Sequence, residues 1–377
     1  MIPFNKPYFH GDELVYITNT VTAGKISGDG IYTKKCHDFF ETHYGFKKVL
    51  LTTSCTDALE MAAILLDIQP GDEVIAPSYT FVSTVNAFAL RGAKIIFADS
   101  YHDHPNIDPE QIKKLITPNT KAIVVVHYAG VACDMDAIMA LGTQYNIPVV
   151  EDAAQAIDGY YKGKPLGSIG TFGTFSFHET KNIIAGEGGL LAINDEKYIQ
   201  RAEIIREKGT NRTSFFRGEV AKYGWVDIGS SFLPSDIIAA YLYAQLENIN
   251  AIQVRRKDIW QKYYEKLCVL LTKSNVQLPI VREYSTNNAH MFYLVCENLE
   301  QRTSLIQYLK DNNVHAVFHY LSLHNSGFYQ SKYFGHNLPN SDFYTDSLVR
   351  LPLFYELTDE QVDYICEKIK EFFNCSV

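Results

Sequence analysis

The chain has 377 residues, with 34 Lys and Arg against 43 Asp and Glu, giving a formal charge of −9. That balance repels phosphate backbones and argues against nucleic-acid binding. A 46% hydrophobic and 20% charged composition is that of a globular protein, which excludes a disordered, collagen-like or disulfide-framed chain, and the length suggests two domains.

In chain order, Lys48–Thr52 reads as a short strand, Asp57–Leu66 as a helix, Glu73–Ala76 as a strand ended by Pro77, and Thr80–Leu90 as a helix. Lys94–Ala98, Ala122–Val126 and Pro148–Val150 are further strands with turn or helix signals between them. Their continuous Val and Ile runs suit strands buried on both faces of a parallel sheet covered by helices. After Asp152 the pattern changes, because Thr171–Phe177 and Gly189–Ile193 read as strands without a long helix between them. Ser235 to Leu271 is mostly helical, and beyond it come a strand at Met291–Val295, a helix at Arg302–Asn312 and a strand at Ala316–Phe318. A last helix, Asp359–Phe373, has Thr358 as its N-cap. These elements predict a large α/β domain over 1–245, carrying an N-terminal arm, and a small C-terminal α+β domain over 246–377.

Seven cysteines, at 36, 55, 133, 268, 296, 366 and 375, form no CxxC pair, so neither a zinc knuckle nor a thioredoxin motif is expected. Met1 to Gly11 lacks the basic and apolar regions of a signal peptide, and no uncharged apolar run approaches ~18 residues. The expectation is a reduced cytoplasmic protein without a transmembrane helix. The triplets Asn211-Arg212-Thr213 and Asn374-Cys375-Ser376 then match the glycosylation pattern by chance.

Three stretches could carry chemistry. Thr53-Ser54-Cys55-Thr56-Asp57 lies between a strand and a helix; its free N–H groups and hydroxyls make either an anion site or a plain N-cap, Ser54 and Asp57 matching [ST]xx[DE]. No GxGxxG, GxxxxGK[ST] or GxSxG accompanies it, which weighs against dinucleotide, nucleoside-triphosphate and Ser54-nucleophile readings. Glu151-Asp152 closes a buried strand, where open α/β sheets bind ligands. A carboxylate there either pairs with a protonated ring nitrogen or caps the next helix. Lys181 follows the apolar strand Phe175-Ser176-Phe177 and precedes Gly186-Glu187-Gly188-Gly189. Desolvation lowers a lysine pKa and frees the amine for Schiff-base chemistry, and glycines let backbone approach a bulky ligand. His178 reads as a satisfied core histidine, and His102-Asp103-His104 as solvated loop residues rather than metal ligands. Taken in order, a hydroxyl-rich helix start, an aromatic (Phe81), a strand-end Asp152 and a strand-exit Lys181 suit one ligand, pyridoxal 5′-phosphate. The helix start takes its phosphate, Phe81 stacks, Asp152 meets the ring nitrogen and Lys181 bonds the aldehyde carbon.

The stretches SCTDALEM (54–61), PSYTFVST (77–84), VVEDAAQA (149–156), FSFHETKN (175–182) and GEGG (186–189) resemble the DegT/DnrJ/EryC1/StrS family of sugar aminotransferases. The likeness continues through HYAGVACDMD (127–136), EIIREKGTNR (203–212), DIGSSF (227–232), NAHMFY (288–293), AVFHYLSLH (316–324) and LPLFYEL (351–357). The resemblance implies an aspartate aminotransferase-like transferase of fold type I, using pyridoxal 5′-phosphate and its pyridoxamine form, assembled as a homodimer with shared active sites. It implies an amino transfer from L-glutamate to a dTDP-4-keto-6-deoxy sugar. Carried across by motif, Lys181 and Asp152 are catalytic, and Thr56 and Asp57 bind phosphate. Phe81 stacks, Gln155 meets the ring oxygen, Ser176 meets the phosphate, and His319 and Tyr320 line the substrate pocket. Where relatives have a GYN stretch reaching the partner's phosphate, this chain has Gly229-Ser230-Ser231, leaving Ser231 as donor. Related dehydratases replace the lysine with histidine, so Lys181 argues for transamination. A nucleotide sugar is anionic, and in a chain of −9 it requires local basic residues, for which Lys208 and Arg212 are candidates.

Overall fold

The structure, a computed structural model, describes residues 1–374; Cys375, and with it the triplet Asn374-Cys375-Ser376, falls outside the described residues. Seven strands form one sheet in the order Val49–Thr52, Gly189–Ile193, Phe172–Ser176, Val149–Asp152, Thr120–Val126, Glu73–Pro77 and Lys94–Ala98. Gly189–Ile193 runs antiparallel to both neighbours and every other pairing is parallel. The Val and Ile runs lie where the sequence placed them, because apolar packing covers both faces of the sheet. The parallel strands end at Pro77, Asp152 and Ser176 on one edge, which is where the candidate residues gather.

A second, three-stranded antiparallel sheet orders Phe292–Val295, Leu348–Leu351 and Val317–Phe318. The helices Ile249–Leu267, Leu299–Asp311 and Asp359–Phe372 pack its core, with Tyr263, Phe292, Leu305, Val349 and Ile365 fully buried. Thr358 caps the last helix in a reciprocal pair with Gln361, as expected. Residues of the N-terminal arm join this smaller sheet: the Ile2 N–H donates to the Asn313 carbonyl at 2.7 Å and Ile2 accepts from the His315 N–H at 3.0 Å.

Three differences from the sequence reading have local causes. The helices Asp12–Thr22 and Ile31–His43 carry no starting signal, since each is preceded by a glycine and lacks a side-chain cap. The helix expected from Thr80 begins at Ser83, because Thr80 Oγ1 bonds Thr84 Oγ1 at 2.9 Å across the turn instead. His104, expected to be solvated, is buried against the Tyr101 ring at 4.5 Å. Burial and the Arg282 charge push its pKa down to about 4, while Asp103 pairs with Arg282 at 2.5 Å. Among the described residues no cluster of three metal-ligating side chains occurs, and no helix is long and apolar enough to cross a membrane.

The strand Val149–Asp152 fixes the loop beside it. Glu151 is fully buried and its carboxylate accepts the N–H groups of Gly167, Ile169 and Gly170 at 2.9, 2.7 and 2.6 Å. It also faces His127 Nε2 at 2.9 Å. It caps no helix; it holds the turn that leads into Phe172–Ser176. We expect Glu151→Ala to orphan two buried N–H groups and a half-buried one and cost about 3–5 kcal/mol, measured as a lowered unfolding midpoint, with Glu151→Gln intermediate.

Candidate active site

Successive residues of a strand face opposite sides, so with Glu151 on one face, Asp152 lies on the other. Its Oδ2 accepts from Thr84 Oγ1 at 2.7 Å and its Oδ1 from the Ala154 N–H at 3.1 Å. No helix starts there, so the capping alternative falls away. Burial raises the Asp152 pKa, while Thr84, the Ala154 N–H and Lys181 oppose that shift. A carboxylate held in this way favours a cationic partner such as a protonated ring nitrogen.

Lys181 leaves the strand Phe172–Ser176 through a tight loop. The Lys181 N–H donates to the His178 carbonyl at 2.9 Å, and the Glu179 N–H to the Gly186 carbonyl at 3.0 Å, with Gly186 at φ 78. Among the described residues its Nζ makes no hydrogen bond or ion pair with any side chain. Burial first, and then the Arg350 charge, lower its pKa from 10.5 to about 8. The neighbouring Asn182 is clamped at 2.9 Å to Gln253 and at 2.8 Å to His290. His178 is not a core residue: it is half-exposed, 3.0 Å from Thr180 Oγ1 and 3.8 Å from Glu187. Gly189 serves backbone packing: a Cβ there would lie 2.2 Å from the Ser54 carbonyl carbon. The close approach expected toward a ligand is thus made, at this glycine, toward the helix start.

At that start Ser54 caps the helix Cys55–Leu65, its Oγ accepting from the Asp57 N–H at 3.1 Å. The Asp57 carboxylate takes the Thr53 hydroxyl, and Thr56 Oγ1 lies 2.8 Å from Ser83 Oγ. The cap does not preclude an anion, because it consumes the Asp57 N–H alone and leaves earlier N–H groups and the Thr56–Ser83 hydroxyl pair. Ser176, half-buried at its strand end, accepts from the His178 N–H at 3.4 Å. Gln155 is buried; its Oε1 accepts from the Ala129 N–H at 2.6 Å and its Nε2 donates to the Tyr320 hydroxyl at 3.1 Å. Phe81 is 55% exposed, its ring centroid 6.0 Å from that of Tyr320.

The smaller sheet brings His319 and Tyr320 to the same place. The Tyr79 hydroxyl donates to the His319 carbonyl, and Ser78 Oγ meets His324 Nδ1 at 2.7 Å. His319 Nδ1 accepts from Arg350 at 2.5 Å, and burial plus that guanidinium push its pKa down to about 3, so it is neutral. Ser231 stands apart: it is exposed and pairs through backbone with Glu207. Arg212 also lies elsewhere, in a cavity of about 550 Å³ lined by Lys25, Lys34, Lys48, Arg206 and Arg217 among others. Sequence reasoning missed Thr84, which orients Asp152, and Arg350; a lone arginine within the apolar run Leu348-Val349-Arg350-Leu351 was the available signal.

A mainly parallel sheet, a smaller antiparallel one, and between them a desolvated lysine amine beside a buried carboxylate define the class of pyridoxal-phosphate-dependent aminotransferases of fold type I. The chain belongs to the DegT/DnrJ/EryC1/StrS aminotransferase family, whose model matches residues 8–370. It is 32% identical to the uncharacterized protein MJ1066 of Methanocaldococcus jannaschii, covering 98% of this chain and 97% of that one. Among solved structures it is similar to Spr1654 of Streptococcus pneumoniae, described as a sugar aminotransferase in its PMP-form (TM-score 0.91, 28% identity, 99% of each chain). It is also similar to DesV of S. venezuelae (TM-score 0.90, 26% identity, 100% and 99% of the chains).

A lysine amine is nucleophilic only in its neutral form, so the reactivity of Lys181 toward an aldehyde rises with pH through its pKa. We expect uptake of pyridoxal phosphate by the apoenzyme, followed by visible absorbance, to accelerate with pH and level off above about 8. A rate still climbing at pH ~10, where an ordinary lysine titrates, would contradict this site.

Proposed function

We propose that the protein transfers the amino group of L-glutamate to the keto carbon of a nucleotide sugar, specifically dTDP-4-keto-6-deoxy-D-glucose. The products are dTDP-4-amino-4,6-dideoxy-D-galactose and 2-oxoglutarate, made in the cytoplasm for a cell-surface polysaccharide such as enterobacterial common antigen or a lipopolysaccharide O-antigen. The observation that carries the reading is the Lys181 amine, without a side-chain partner among the described residues and with its pKa lowered to about 8, within the electrostatic reach of Asp152. The sugar and its configuration rest on the motif likeness to the galactose-forming transaminase of common antigen synthesis.

Bound pyridoxal phosphate supplies the electron sink for breaking the donor's Cα–H bond. In our reading Lys181 would hold the cofactor, and its Nζ, when free, would take the proton from the donor's Cα. Asp152, oriented by Thr84, keeps the ring nitrogen protonated. Thr56 and Ser176 would bind the phosphate from the helix start, which Asp57 shapes through its bonds to Ser54 and Thr53, while Phe81 and Gln155 would hold the ring's face and oxygen. His319 and Tyr320 cover the site from the smaller sheet and exclude water. The domain division at 245/246 belongs with this reading, each sheet supplying one wall.

A homodimer with shared sites is part of the proposal. Its support is the exposed apolar surface around the Ser231 segment: Trp225 is 82% exposed, with Phe216, Val226 and Ile228 also outside. A monomer rarely leaves such a patch bare. Ser231 then donates to the partner's phosphate, and the cations beside Arg212 offset the overall negative charge toward an anionic nucleotide sugar.

The test is product analysis. With L-glutamate and dTDP-4-keto-6-deoxy-D-glucose, NMR is expected to show an axial C4 amine. An equatorial amine would assign the gluco epimer, and an amine at C3 another acceptor. Lys181→Ala is expected to lose both the visible absorbance of bound cofactor and turnover.

A further inference from the structure

The loop that carries Lys181 is tied down by the next residue. Asn182 is buried, and its side-chain amide is fully committed. Nδ2 donates to Gln253 Oε1 and to the Asn288 carbonyl, both at 2.9 Å, and Oδ1 lies 2.8 Å from His290 Nδ1. The groups around it are committed in turn. Gln253 Nε2 donates to Asp158 Oδ2 at 3.2 Å, and Asn288 Nδ2 to the Gln155 and Ile157 carbonyls at 2.8 and 2.9 Å. With both amide hydrogens given to oxygens, Asn182 Oδ1 can only accept, so His290 donates to it from Nδ1. The ring is 3% exposed; burial first, then Lys181, Arg350, Arg256 and His319, hold its pKa well below the usual histidine range. His290 is therefore neutral and fixed in one tautomer. Among the described residues its Nε2 has no hydrogen-bond partner. No hydrogen bond joins the ring to the Lys181 amine either, so its hold on Lys181 runs through Asn182.

We propose that His290 is a positioning residue for the transamination: its Nδ1–H, through Asn182, fixes where the Lys181 amine stands. The inference rests on the aminotransferase reading of the site but not on the identity of the sugar. Asn182 lies beyond Phe172–Ser176 of the large sheet, whereas His290 lies just before Phe292–Val295 of the smaller one. The bond between them thus sets the lysine against the second wall of the site. The amine itself contributes nothing to this, because it has no side-chain partner among the described residues. Taking a proton from the donor's Cα requires close approach, and a misplacement of about 1 Å costs about 100-fold in rate. A protonated ring would add one more cation beside Lys181, Arg350 and Arg256, and burial among them disfavours that form. Replacing the neutral ring by a neutral side chain therefore changes geometry and not charge, which makes its effect on Lys181 readable.

In nitrogen-15-labelled apoenzyme, the histidine resonance that vanishes in His290→Asn is expected to show the Nδ1–H tautomer between about pH 6 and pH 8, on either side of the ordinary histidine pKa. An Nε2–H tautomer, or protonation within that range, would overturn the proposal, and this measurement needs neither cofactor nor sugar. In His290→Leu the single-turnover rate at saturating L-glutamate is expected to fall about 30- to 100-fold, with the glutamate concentration for half-maximal rate within about threefold of wild type. Cofactor uptake by that apoenzyme is expected to level off about one pH unit higher than in wild type, because a loosened loop admits water to the Lys181 amine. His290→Asn, whose amide N–H takes the place of Nδ1–H, recovers most of the rate and the wild-type pH profile. Combining Asn182→Ala with His290→Leu is expected to slow the reaction no further than the slower single variant. An Asn variant as slow as the Leu variant, yet with the wild-type pH profile, would make the ring itself the reacting base. Losses that multiply would show that the two residues act separately. Either result overturns the proposal, as would lowered melting temperatures with rate and pH profile intact, the mark of a bond that only stabilises. A wild-type enzyme that takes up no cofactor would instead refute the Lys181 assignment, and the tautomer is read independently of it.

Discussion

The molecule turns on the two carboxylates that close one strand. Side chains alternate across a strand, so Glu151 and Asp152 cannot share a face. Glu151 meets a fan of three N–H groups and His127, which satisfies its charge inside the protein and sets the turn at Gly167–Gly170. That turn delivers Phe172–Ser176 into the sheet beside Val149–Asp152, and the chain beyond Ser176 leads to Lys181. Glu151 thereby decides which way Asp152 points and where the Lys181 amine arrives.

On the functional face the charges are arranged differently. Among the described residues Asp152 has hydrogen-bond donors but no ion pair, the Lys181 amine has neither, and Arg350 has a neutral histidine. Each is less stable alone than it would be against a ligand of the opposite sign, which is the electrostatic meaning of a preorganised site. The net charge of −9 is a sum over the whole chain and says little here, because the buried Lys181 lies within electrostatic reach of both Asp152 and Arg350.

The buried strands were legible in the sequence because both faces are apolar, which leaves uninterrupted Val and Ile runs such as Ala122–Val126. The strand–helix turn at Ser54 and the acidic pair were legible as well, since each breaks an apolar run at its end. What they would do was ambiguous until geometry separated them: Ser54 caps, while the hydroxyls around Thr56 remain available. The helices Asp12–Thr22 and Ile31–His43 were hidden by glycine caps. His104 was misread because a polar loop can fold inward around an aromatic neighbour, and local composition carries no trace of that. Arg350 was overlooked because a four-residue apolar run broken by a charge gave no strand reading, and only the structure shows Leu348–Leu351 at the centre of its sheet.

The arm has a further consequence, for the order in which the protein can be built. Ile2 pairs with Asn313 and His315, and Phe4 covers Arg350. Contacts with this sequence separation form late and slowly. During synthesis at about 5–20 residues per second, the arm waits some tens of seconds for its partners to emerge. The large sheet, whose strands end at Ile193, has all of its sequence long before then. One wall of the site can fold on the ribosome, whereas the other is closed by a segment made well before the residues it pairs with.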